Sequence, residues 1–101
     1  KAIAATDCWA GQKPNILIVT PKTIDKDYEH TEVAATIGRG CAEKSECLRE
    51  EYPKIAKLMG CHYFDANTAV KENNHIDYMH LTAQGHQELA DALAKLIPDL
   101  L

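Results

Sequence analysis

Apolar residues follow three different rhythms along this chain of 101 residues, and each predicts its own kind of element. Asn15-Ile-Leu-Ile-Val-Thr-Pro21 is an apolar run of strand length, rich in β-branched residues and closed by proline. It does not alternate with polar residues, so it predicts a strand buried on both faces. Leu48, Tyr52, Ile55, Ala56 and Met59 recur at helical spacing instead, with Ser45 as a cap before them and Gly60 at the far end. Pro53 interrupts that pattern by removing a backbone donor and crowding the preceding turn, which predicts a kink or two short helices joined near Glu51. The third rhythm is His86, Leu89, Ala90, Leu93 and Ile97, one face of a helix capped by Thr82 and stopped by Pro98.

The segments between are shorter or less patterned. Lys1 to Ala10 reads as the end of a helix running into a loop, broken by Gly11 and Pro14. Tyr28, Val33, Ala34 and Ile37 line one side of a short helix ended by Gly38, and Arg39-Gly-Cys-Ala makes a turn. Cys61-His-Tyr-Phe-Asp65 is strand-like, with Cys61 a buried thiol at its entrance. The polar turn Asp65-Ala-Asn-Thr follows, tied down by the Asp65 carboxylate through backbone N–H groups. Only two strands are visible, and the first reads as interior, so its neighbour is expected from an upstream segment or another subunit.

Composition narrows the function classes. A net charge of −4 and an aromatic fraction of 6% suit a soluble domain and offer no basic patch for nucleic acid. No apolar run reaches membrane-spanning length, and Lys1 to Thr6 lacks the apolar core of a signal peptide, leaving cytoplasmic and secreted settings both open. Cys8, Cys41, Cys47 and Cys61 form neither a Cys-x-x-Cys pair nor a metal-binding spacing, and they read as free thiols. A Cys41–Cys47 bridge is the alternative in an oxidising compartment. No cofactor is implied.

The candidate chemistry lies just ahead of the last helix. Asp77 and His80 stand three residues apart in a short irregular segment, with His80 two residues before the Thr82 cap, so that its ring is free of the core and can face a cleft. An Asp at this spacing is also an ordinary polar partner for a helix start. His75 reads as loop decoration and His86 as a hydrogen-bonded packing residue, while His30 and His62 have no fixed relation to the pair. Asp65 is the other candidate acid, and its distance from His80 in sequence favours Asp77.

Asp-x-x-His-Leu, then Thr-x-x-Gly-His and a Leu/Ala-rich amphipathic helix, resembles the C-terminal block of the SGNH (GDSL-type) esterase and lipase superfamily. The preceding strand, the Ser-x-x-Leu-x-x-x-Tyr-x-x-Ile-Ala helix and the Tyr-Phe-Asp-Ala strand appear in the order of that family's second half. The resemblance implies the C-terminal portion of a three-layer α/β/α, flavodoxin-like fold with a parallel sheet, the whole of 1–101 belonging to one domain. It implies a carboxylic-ester hydrolase working through a serine acyl-enzyme on a small ester, without metal or organic cofactor. Asp77 would orient the imidazole and His80 would move the proton. Pro21, Lys22 and Thr23 would wall the cleft, and Tyr28 and Ile37 are candidates for pocket lining, with plain packing against the sheet as the other reading. The family's Gly-Asp-Ser-Leu block and its Gly-x-Asn-Asp block are absent. Ser45 is the only serine and has no strand before it. The nucleophile is therefore expected from the upstream half of the same protein or from a companion chain, and the chain alone is expected to be inactive. The alternative from another class is a noncatalytic interaction or structural fragment that retains an esterase-like fold.

Overall fold

The computed structural model describes residues 1–101. Its centre is a parallel pair of strands, β1 (Leu17–Thr20) and β2 (His62–Asp65), with Leu17 opposite His62 and Thr20 opposite Asp65. Parallel neighbours need a long crossover. Here it contains a 3-10 helix (Lys26–His30), a short helix α1 (Val33–Ile37) and the long helix α2 (Cys41–Met59), which packs on both strands. A 3-10 turn (Ala66–Thr68) leaves β2, and the chain ends in helix α3 (Ala83–Leu100). The result is an α/β chain with a small parallel sheet, as the family resemblance implies.

Several boundaries differ from the sequence expectation, each for a local reason. Lys1 to Ala10 holds only a 3-10 turn (Ile3–Ala5), because Thr6 closes it at once: both its N–H and its hydroxyl donate to the Ile3 carbonyl. The β1 run is half-buried apart from fully buried Thr20, since β2 is its only strand partner. Helix α2 starts one turn before Ser45. Gly40, at φ 83°, supplies the left-handed backbone that launches it, so Arg39-Gly-Cys-Ala is part turn and part helix. The helix then continues through Pro53 without a break. Its inward face is Ala42, Ser45, Leu48, Tyr52 and Ala56, while Ile55 and Met59 are exposed.

Pro98 likewise fails to stop α3. The helix continues to Leu100, whose carbonyl accepts a hydrogen bond from Asn15 Nδ2 at 2.7 Å, an anchor from far upstream that no local pattern encodes. Within α3 the half-buried stripe is Leu89, Ala92, Leu93, Leu96 and Leu100, so His86, Ala90 and Ile97 of the predicted face are exposed. Cys61 is half-buried and not enclosed, and all four cysteines are free.

Tyr28 settles the reading of the crossover. It is fully buried, and its hydroxyl donates to the Gly38 carbonyl at 2.7 Å and accepts from Cys41 N–H at 3.1 Å, which makes it a packing residue that joins α1 to α2. Burial, foremost, raises its phenol pKa. Asp65 behaves as expected: its carboxylate accepts from Asn67 N–H at 2.9 Å and fixes the turn after β2. Arg49 of α2 also donates to it at 2.9 Å.

Candidate functional site

The last helix is positioned from its first turn. Thr82 has extended backbone and its Oγ1 accepts from Gly85 N–H at 2.9 Å, satisfying one of the free donors of the helix start. Gly85 is buried there, and a Cβ at this position would lie 3.2 Å from Val70 Cγ1, so glycine permits the helix end to seat against Val70. That seating fixes where the preceding turn begins.

The turn carries Asp77 and His80 together. Asp77 Oδ1 accepts from the backbone N–H groups of Met79 at 3.0 Å and His80 at 2.9 Å, and Oδ2 faces His80 Nδ1 at 2.5 Å. The backbone N–H of His80, then that of Met79, then the His80 ring hold the Asp77 carboxyl well below the usual carboxylate range. Asp77 is therefore ionised at neutral pH. The His80 side chain is 76% exposed, so its Nε2 edge is available to a reacting group. A carboxylate on Nδ1 with the rest of the ring exposed is an arrangement chemically able to accept and release a proton at Nε2.

Beside His80 lies a groove of about 250 Å³ lined by Val19, Pro21, Lys22, Met79, Leu81 and His86, among others. It sits at the carboxyl end of β1, where parallel sheets keep their sites. A larger cavity of about 450 Å³ opens at the opposite end of the strands, around Ile16, Lys57 and Cys61, but it holds no acid–base pair. The groove contains neither serine nor cysteine. Ser45 is committed elsewhere, accepting from Ile24 N–H at 2.9 Å and donating to the Ala42 carbonyl at 2.7 Å. The chain thus assembles an Asp–His pair and no complete triad.

The other sequence candidates divide. Lys22 lines the groove with His80, and Pro21 and Thr23 are held by Asn67, whose Nδ2 donates to the Pro21 carbonyl and whose Oδ1 accepts from Thr23 N–H. Tyr28 and Ile37 stay outside the groove, and His30 and His62 do as well. His86 is an exposed groove residue without a side-chain hydrogen bond, contrary to the packing role expected for it. His75 stacks on Tyr78 with ring centroids 5.6 Å apart. Residues that sequence reasoning passed over are Asn73 and Asn74. Asn74 Oδ1 accepts from the N–H groups of Ile76 and Asp77, and its own N–H donates to the His80 carbonyl. The available signal was the Asn-Asn pair itself, since asparagine side chains build turns of this kind.

No group of three or more His, Cys, Asp or Glu side chains is gathered as a metal-binding set. No helix is long and apolar enough to cross a membrane.

Solved structures of esterases resemble this chain. A carbohydrate acetylesterase family member from Sinorhizobium meliloti superposes with a TM-score of 0.76 at 26% identity, over 90% of this chain and 41% of that one. The aryl esterase of M. smegmatis gives a TM-score of 0.73 at 26% identity, over 88% of this chain and 40% of that one. No family model matches the chain, and no curated protein matches it. The structural neighbours are esterase and acetylesterase-family enzymes, and the chain spans about two-fifths of their length.

Proposed function

We propose that this chain is the C-terminal part of an SGNH-type serine esterase, within a three-layer α/β/α domain, and that it supplies the Asp and His of the catalytic triad. The observation that carries the reading is the Asp77–His80 pair, ionised acid on Nδ1 and exposed Nε2, at the carboxyl end of a parallel strand. The likeness to solved esterases supports the same reading.

In this mechanism a serine from the upstream half attacks the ester carbonyl. As the Oγ–carbonyl bond forms, His80 Nε2 takes the serine proton, and Asp77 stabilises the resulting imidazolium. The same proton then passes to the departing alcohol as the ester C–O bond breaks, leaving the acyl-enzyme. Water reverses the sequence, giving its proton to His80 while it displaces the serine. The substrate is a small carboxylic ester. The groove beside His80 contributes apolar wall through Val19, Met79 and Leu81.

The test is substitution in the protein that joins this segment to its upstream half. His80→Ala is expected to lower the acylation rate by roughly 10²- to 10⁴-fold with little change in unfolding temperature, and Asp77→Ala to lower it less, because only the histidine transfers the proton. Full ester turnover by purified His80→Ala protein would rule the assignment out.

A further inference from the structure

The turn that carries Asp77 and His80 contains a backbone conformation that its residue disfavours. Tyr78 sits at φ 62°, in the left-handed region that a bulky side chain rarely occupies. The Asp77 carboxylate bonds across Tyr78 to the N–H groups of Met79 and His80, but it is tied only to its own turn and does not anchor that turn to the sheet. The Tyr78 carbonyl does receive two hydrogen bonds, from Asp25 N–H and from Asn73 Nδ2, each at 2.9 Å.

Asn73 is 2% exposed, and its Nδ2 also donates to the Thr23 carbonyl at 2.8 Å. With both carbonyls on one side, the amide has a single sensible orientation, since turning it over would set Oδ1 against two oxygens. Its Oδ1 is buried without a partner. A buried unpaired acceptor is a cost that an apolar side chain would avoid. What the amide uniquely supplies is a two-pronged donor linking the loop after β1 to the turn before α3. Asn73 also bridges to Leu81 through the backbone, so the clamp closes on the turn from both ends.

We infer that Asn73 is a positioning residue for the acid–base pair: by gripping the Thr23 and Tyr78 carbonyls it holds Tyr78 in its left-handed conformation and sets the Asp77–His80 turn against the carboxyl end of β1. It touches neither substrate nor the reacting atoms. This role rests on the proposed esterase reading for its effect on turnover, but its effect on the turn is independent of that reading. Loss of the clamp lets Tyr78 relax toward negative φ, which swings the Asp77 carboxylate away from the His80 ring. Glycine at position 78 occupies positive φ without strain and so needs the clamp less.

The experiment compares Asn73→Ala, Tyr78→Gly and the double variant in the protein joined to its upstream half. Ester kinetics and the proton signals of the His80 ring Nδ1–H and of the Met79 and His80 amides are followed together. The Asn73→Ala change is expected to lower kcat by up to roughly 100-fold with KM nearly constant, as misplacement of a catalytic group does. The ring proton signal should broaden in parallel, and the double variant should recover at least about tenfold of the loss relative to Asn73→Ala. If Asn73→Ala does not fold, Asn73→Asp, which keeps the shape and removes the two-pronged donor, carries the comparison. Unchanged kcat and unchanged signals in a folded Asn73 variant would overturn the inference, and so would a loss that glycine at 78 does not relieve. Should His80→Ala keep full turnover while the His80 signals still respond to Asn73, the esterase reading fails and the positioning role stands.

Discussion

Asp77 gathers three donors at once, two from the backbone and one from the imidazole, so a single side chain both shapes the turn and aims His80. Its depressed pKa gives a pH signature. An unfolded Asp protonates near pH ~4, whereas the folded group keeps its charge to lower pH. The stability it contributes is thus fully present above about pH 4 and is lost as the pH falls from there through the folded pKa. Asp65 acts in the same sense: burial pushes its pKa up, but the side chain and N–H of Asn67, with Arg49, outweigh this and hold it down. Asp77→Asn should therefore destabilise at neutral pH and progressively less as the pH is lowered below about 4, read by urea unfolding at a series of pH values. A difference from the parent that is constant across that range would show that the carboxylate charge contributes nothing. The pair itself was legible in sequence because its geometry is local, two residues three apart ahead of a readable cap. Asn73 was not, because what it does depends on Thr23, brought to it only by the fold.

At the scale of elements, the apolar rhythms predicted both strands and both long helices, and their ends were where the reading slipped. Helix boundaries here depend on things that hydrophobic spacing does not report. A left-handed Gly40 starts α2 before Ser45, and the Asn15 bond to Leu100 holds α3 beyond Pro98. The cap at Thr82 was readable because both partners lie within one turn. Thr82→Ala is expected to cost about 1 kcal/mol, and Thr82→Ser to recover most of it. Equilibrium unfolding measures both, and equal stability of the alanine and parent proteins would remove the cap from the forces that fix the site. The face of α3 was misjudged for a different reason. His86, Ala90 and Ile97 flank the half-buried stripe of Leu89, Ala92, Leu93, Leu96 and Leu100 on its exposed side, and spacing alone does not say which flank is covered.

Over the whole molecule the surface is that of an incomplete core. Only eight of 101 residues are buried, and Leu58 and Ile55 of α2 are 77% and 49% exposed. The radius of gyration is 16.0 Å, against about 13 Å for a compact domain of 100 residues. β1 has β2 on one edge and nothing on the other, although its sequence is that of an interior strand. An unpaired apolar edge and exposed helix faces favour association. The isolated chain should accordingly sediment as associated species or unfold at low denaturant, and the upstream half should convert it to one compact particle. A stable isolated monomer would show that the sheet needs no further strand.

The most direct measurement is ester hydrolysis by the purified 101-residue chain, alone and mixed with the upstream half, using parent and His80→Ala versions of the chain. The expected result is background turnover for either part alone, enzyme-like turnover for the parent mixture, and loss of that turnover with His80→Ala. Enzyme-like turnover by the parent chain alone would contradict the placement of the nucleophile outside it, and a fully active His80→Ala mixture would contradict the role of the pair.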